Sequence, residues 1–289
     1  MKRVFLGSEA VAAGTITAGA LRYGYRRVFP NVYMPRGQPG SLADNTVGAW
    51  LWSQRRGVIT GRAAVALHGA MWVDDDCPIE LNYNSRRPPP GIIARDERIA
   101  SDEVIQIGGM AVATRQRAAF DLGRHLPRRR AVAHLDALAH ATGLTAAQIR
   151  PLAQRYKGAR NVGRLRTALD LMDGGAQSPK ETWLRLLLIA AGFNRPTTQI
   201  PVFDDRGRRF AYLDMGWEDV KIAVEYDGDQ HRTSRRQYVW DEKRLRQVRE
   251  RGWLHIKVIN EDQPYEIINR VASAWLRRER AFPVARRAS

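Results

Sequence analysis

Val220-Lys221-Ile222-Ala223-Val224-Glu225-Tyr226-Asp227 reads as a β-strand in which one acid, Glu225, is embedded in an otherwise apolar run. Side chains alternate along a strand, so Glu225 and Asp227 share a face, and that face also takes Lys221 and Ala223. A buried carboxylate without a partner is costly, so the run asks for a metal ion or a cationic side chain. Asp214 ends the strand expected before this one. If it arrives across the hairpin, three carboxylates converge. His231 follows through the tight turn Gly228-Asp229-Gln230, near enough to protonate a leaving oxygen or to position a phosphate. The alternative reading makes Asp214, Asp219 and Asp229 turn formers and pairs Glu225 with an arginine such as Arg244.

Outward from this stretch, the pattern predicts strands over 199–203, 210–215, 220–226 and 254–259 and helices over 238–251 and 263–278. Ser178-Pro179-Lys180-Glu181 is a helix-start signature, with Ser as N-cap, Pro at the first helical position and Glu three residues on, for a helix ending near Gly192. The order is α-β-β-β-α-β-α. Lys257, on the last strand, can bring a positive charge from the neighbouring strand. Trp183, Trp217 and Trp253 accompany apolar neighbours and read as core.

Asp173-Gly174-Gly175-Ala176-Gln177 is a glycine-rich joint that marks a domain boundary. Before it, Thr15 to Arg22 reads as a short capped helix followed by a turn and the strand-like Arg27 to Met34, a helix-then-hairpin order typical of winged helices. This places Arg22, Arg26 and Arg27 at a phosphate backbone or groove; the alternative is a small α/β cap with exposed arginines. Helices are expected over 43–55, 61–69, 117–126, 131–141, 145–156 and 163–172, and strands over 79–83, 92–94 and 104–114. His68 reads as a helix-end residue, and Arg128-Arg129-Arg130 as a solvated helix end.

The 289 residues suffice for two ordinary domains, and the apolar share of 44% provides for real cores. The net charge of +17 attracts polyanions, above all nucleic acid. Lys and Arg outnumber Asp and Glu by 25 to 14 up to residue 177 and by 22 to 16 beyond it, so both parts are basic. The single cysteine, Cys77, excludes an internal disulfide, and no Cys/His cluster has zinc spacing. No apolar run reaches membrane-spanning length, so the expectation is a cytoplasmic protein with no membrane contact.

The chain from Ser178 to Arg278 resembles the DUF559/Vsr-like branch of the PD-(D/E)xK restriction-endonuclease-like superfamily. The residues that carry this are Ser178-Pro-x-Glu181-x-Trp183, Leu184-Arg185, Ala191-Gly192, Gln199, Leu213-Asp214, Val224-Glu225-x-Asp227-Gly228-x-x-His231, Asp241-x-x-Arg244 and Arg251-Gly252-Trp253. The resemblance implies that Asp214 and Glu225 are metal ligands for Mg²⁺ or Mn²⁺. It also implies that Glu181 leans in from the first helix, that Asp227 and His231 complete the site, and that Gln199 and Asp241 support it or touch substrate. Asp227 stands where the superfamily's usual lysine would be, which leaves the activating base unassigned.

The first part resembles the N-terminal region of AbiEi-type antitoxin or regulator proteins, through Arg26-Arg27-Val28-Phe29-x-x-Val32-Tyr33, Gly61-x-Ala63-Ala64-x-x-Leu67-His68-Gly69 and Thr114-Arg115-x-Arg117-Ala118-x-x-Asp121-Leu122. The expected protein is therefore of the α/β (α+β) class. It has a winged-helix-like module over 1–40, a mixed α/β and helical region over 41–177 and a restriction-endonuclease-like αβ domain over 178–289. Its expected function is metal-dependent DNA nicking or cleavage in defence or repair, with DNA as partner and a homodimer where both strands are cut. The alternative is a catalytically silent DNA-binding regulator of antitoxin type. A toxin would then be the further partner, and a restriction or repair protein otherwise.

Overall fold

A computed structural model describes residues 3–228 and 235–281. The chain divides into two compact units, Met1–Gly174 and Gly175–Ser289. Helices and three separate sheets make it an α+β protein.

The first unit opens with strand β1 (Phe5–Leu6), helices α1 (Gly7–Ala12) and α2 (Ala18–Gly24), and strands β2 (Tyr25–Phe29) and β3 (Val32–Pro35). Thr17 caps α2 by accepting the Ala20 N–H at 3.1 Å. The helix thus begins later than expected, because Thr15 turns back to the Ala10 carbonyl at 2.9 Å. Asn31 turns the β2–β3 hairpin with a left-handed φ of 61°, which its short polar side chain tolerates. β1 joins the other side of β3, and helix α3 (Leu42–Trp52) packs on this sheet with Gly48 against Phe29 and Val32.

Next come β4 (Val58–Thr60), α4 (Gly61–Leu67), β5 (Ile79–Asn82), β6 (Ile92–Arg95), β7 (Val104–Ile107) and β8 (Met110–Ala113), whose strands form a sheet ordered β6-β5-β4-β8-β7. His68 ends α4 by bonding the Ala113 carbonyl at 2.8 Å. Helices α5 (Arg115–His125), α6 (Arg128–Thr142), α7 (Ala146–Arg155) and α8 (Val162–Leu171) complete the unit, and Arg128 to Arg130 are exposed. The Thr114 to Leu122 landmark is explained locally. Thr114 caps α5, and Arg117, 1% exposed, pairs with Asp121 one turn on at 3.0 Å and with Glu103 at 2.6 Å.

The second unit comprises α9 (Pro179–Ala190), β9 (Thr197–Phe203), β10 (Arg209–Trp217), β11 (Ile222–Tyr226), α10 (Arg235–Glu250), β12 (Leu254–Val258) and α11 (Pro264–Ala281), the order read from periodicity. β9, β10 and β11 form an antiparallel meander, and α10 carries the chain across to β12, which lies parallel to β11 in a sheet ordered β12-β11-β10-β9. Each sheet face has its own core. Leu184 and Leu188 of α9 and Ile267, Val271 and Ala274 of α11 pack with Met215, Trp217, Ile222, Val224, Ile256 and Val258. On the other face Val248 of α10 packs with Ile200, Val202, Ala211, Leu213, Ala223 and Trp253. Trp217 and Trp253 are buried and Trp183 packs against the first core, which makes all three structural.

Breaking a buried ion pair leaves an uncompensated charge in the interior. Arg117→Met is therefore expected to destabilise the first unit by roughly 3–5 kcal/mol, read by denaturant unfolding. A loss under about 1 kcal/mol would show that Arg117 is not what holds Glu103 and Asp121 inside.

Candidate active site

Strand alternation breaks at Asp214. Ala211 and Leu213 lie in the core under α10, whereas Met215 and Trp217 lie in the opposite core, so the side-chain rhythm of β10 resets between them. Across the strand pair, Leu213 faces Ile200 and Met215 faces Thr198, which leaves Gln199 opposite Asp214. Gln199 has a left-handed φ of 51°, so both strands are irregular at one level and the register is kept on either side.

The β10–β11 pairing runs from Trp217–Ile222 to Met215–Val224. One step further, the Asp214 carboxylate rather than a backbone carbonyl accepts the Tyr226 N–H, at 3.1 Å. The two strands part here while β11 stays paired with β12 through Glu225–Lys257 and Tyr226–Val258. The ladder between β10 and β11 ends here, with Asp214 on one strand and Glu225 on the other.

Glu225, 8% exposed, lies on the face of Ala223 under α10. Arg244 of α10 approaches its two carboxylate oxygens at 3.2 Å each, and His255 Nε2 lies 2.5 Å from Oε2. In a parallel pair opposite residues project to one side, so His255 beside Ala223 and Lys257 beside Glu225 join this face. Burial pushes the Glu225 carboxyl up, but the His255 hydrogen bond and the charges of His255 and Arg244 outweigh it and hold it below the usual carboxylate range. Asp241, one turn before Arg244, adds a negative charge that favours the charged guanidinium.

Asp214 goes the other way. Burial, then the negative charges of Glu225 and Glu181, drive its carboxyl up to about 7 against the opposing Tyr226 N–H and Arg244. Glu181, 9% exposed on α9, lies within electrostatic reach of Asp214. The helix start is half of the expected capping box. Ser178 accepts the Glu181 N–H at 3.1 Å, while the Glu181 carboxylate turns to the Gln177 N–H at 2.9 Å. The Gln177 amide in turn donates to the Gln199 side-chain oxygen at 3.1 Å.

The structure therefore brings together Asp214, Glu225 and Glu181, with Gln199 and Asp241 at the margins. Asp227 pairs instead with Lys257, whose Nζ lies 2.5 Å from Oδ2. His231, with Asp229 and Gln230, lies outside the described residues. Arg244, raised in the sequence as a rival partner for Glu225 and as part of the Asp241-x-x-Arg244 landmark, is at Glu225, and His255 is a contact that no local sequence signal announces. In the first unit Arg22 and Arg27 are exposed, whereas Arg26 is half-buried with its guanidinium at the Gln38 carbonyl.

Among the described residues, Glu97, Asp121 and His125 of the first unit bring ligand atoms within 4.8 Å of one another. Arg117 and Arg124 each pair with both Glu97 and Asp121, so this group is already neutralised as an ion-pair network. Asp214, Glu225 and Glu181 do not close to that distance. Their all-oxygen donor set and the raised Asp214 nevertheless suit a hard divalent cation, which would offset the repulsion that Arg244 leaves uncompensated.

No family model matches the chain. It is similar to the uncharacterized protein Rv2248 of Mycobacterium tuberculosis strain ATCC 25618 / H37Rv and to the uncharacterized protein MT2308 of strain CDC 1551 / Oshkosh. Each is 25% identical over 189 residues, covering 64% of this chain and 69% of the relative.

Because the folded protein raises the Asp214 carboxyl from an ordinary 3.8 to about 7, it holds a proton there that the unfolded chain releases. The stability linked to this proton is present at low pH and is lost as pH rises through about 7. The melting temperature of metal-free Asp214→Asn is expected to exceed that of the wild type at pH 8 by more than at pH 5. An equal difference at both pH values would refute the raised carboxyl.

Proposed function

We propose that the second unit is a divalent-cation-dependent deoxyribonuclease and that the basic first unit docks on DNA. The observation that carries this reading is Asp214, a carboxyl pushed up by burial and by two neighbouring carboxylates where the pairing of two strands ends, within a protein of net charge +17. Clustered acids in so basic a chain suit an anionic substrate only with a cation between them.

Asp214 and Glu225 would hold Mg²⁺ or Mn²⁺, with Glu181 as the third carboxylate. Such an ion polarises a phosphoryl oxygen and makes water a nucleophile near neutral pH. Lys257 arrives beside Glu225 from the neighbouring strand and is aimed by Asp227. It supplies the positive charge that the superfamily takes from the position Asp227 occupies. His255 and Arg244 orient Glu225. Gln199, tied to Gln177, faces Asp214 across the strand pair. Among the described residues no helix is long and apolar enough to cross a membrane. A reducing cytoplasm, with Cys77 as a free thiol, fits a role in defence or repair, where a homodimer would cut both strands.

A second reading is favoured by one contact: Arg244 and His255 already occupy the Glu225 carboxylate, as an internal cation would in a silent fold kept for DNA binding. That protein would be a regulator of antitoxin type with a toxin partner.

With supercoiled DNA and Mn²⁺, Asp214→Ala and Glu225→Ala are each expected to lose nicking about 100-fold or more, the scale set by removing one charge-stabilising group. Nicking unchanged in both variants would sink the site. DNA binding without any Mn²⁺-dependent nicking selects the regulator. For docking, Arg22→Gln with Arg27→Gln should reduce the slope of log affinity against log salt by about 1.8 on duplex DNA. Arg26→Gln should reduce it less, and an unaltered slope in the double variant removes the first unit from the interface.

A further inference from the structure

β12 is an edge strand, and a groove of about 590 Å³ runs along its free side between the end of α10 and one face of α11. Arg249 of α10, Lys257 of β12 and Arg270 and Arg277 of α11 line it, with Asn269 and Ser273 as neutral donors. Positions 270, 273 and 277 recur at helical spacing, so α11 turns one polar stripe to the groove. No acidic residue lines it. Lys257 is paired with Asp227 and Arg270 with Asp262. Among the described residues Arg249 and Arg277 have no acidic partner, so the charge at the two flanks of the strand is uncompensated.

We propose that this groove holds the sugar–phosphate backbone of the nucleic-acid strand that reaches the Asp214–Glu225 site. Two residues make the groove continuous with that site. His255 and Lys257 line it and also contact Glu225 and Asp227. The edge itself discriminates against the other occupant such a strand invites, a peptide added to the sheet. Arg270 Nη1 donates to the Lys257 carbonyl at 2.8 Å and so occupies an acceptor that an added strand would need. Guanidinium forks on both sides of a blocked edge match phosphate oxygens. The course of the strand rests on the nuclease reading, whereas the binding of phosphates along β12 does not.

The test is the affinity of the full chain for a labelled single-stranded oligodeoxynucleotide in EDTA across a salt series. Arg249→Gln with Arg277→Gln is expected to reduce the log–log slope by about 1.4, the counterion release of two phosphate contacts on a single strand. Arg249→Lys with Arg277→Lys should restore most of it. Arg164→Gln with Arg166→Gln, which removes two exposed charges from α8, should leave the slope near the wild-type value. An unchanged slope in the groove variant, or equal flattening in the α8 control, overturns the proposal. Unaltered DNA affinity with weakened binding of poly-glutamate overturns it in favour of an acidic protein partner. Flattening by the groove variant in a protein that shows no Mn²⁺-dependent cleavage upholds the groove and removes the nuclease reading alone.

Discussion

Carboxylates brought together away from water repel one another, and a fold that tolerates this must supply positive charge or leave one acid protonated. The second unit does both. Glu225 receives Arg244 and His255 and stays charged, while Asp214, driven by burial and then by the charges of Glu225 and Glu181, moves towards the neutral form. The two acids sit on adjacent strands of one sheet and yet have opposite electrostatic fates. The difference is set by which element covers each: α10 sends Arg244 to Glu225, and β12 adds His255.

The placement of Asp214 beside Glu225 depends on a backbone event as much as on charge. A strand that kept its alternation would place Leu213 and Met215 in the same core. Instead the rhythm resets at Asp214 and Gln199, and the Asp214 carboxylate takes the Tyr226 N–H that a strand neighbour would have bonded. Pairing continues only on the β12 side. The same edge strand that braces Glu225 through His255 thus carries Lys257 to Asp227 and opens on its free side into the basic groove.

Much of the second unit is legible in its amino-acid pattern alone. Periodicity sets the element order, because strand and helix periods are local properties. Ser178-Pro179 marks the start of α9, and the acid in an apolar run singles out Glu225. The expected order of a helix followed by a hairpin is that of α2, β2 and β3, though α1 and β1 give no clear local signal in their short, mixed sequence. What escapes such reading is non-local. His255 meets Glu225 only through parallel register set after a sixteen-residue helix, and nothing near His255 announces that register. Gln199 carries no local mark of its left-handed backbone, since glycine is the usual signal for one. Alternation alone assigns Asp227 to the acid cluster, and its pairing with Lys257 depends on the strand next door.

In the reading we propose, Asp214 and Glu225 share a divalent cation whose arrival reverses the protonation of Asp214. Calorimetric titration of the metal-free protein with Mn²⁺ at pH 6, in two buffers of different ionisation enthalpy, measures both events together. Binding is expected to release about one proton per ion, since metal ligands must be deprotonated. In Asp214→Asn the binding should weaken and the proton release vanish. Mn²⁺ binding that releases no proton, or that is indifferent to Asp214→Asn, would contradict it.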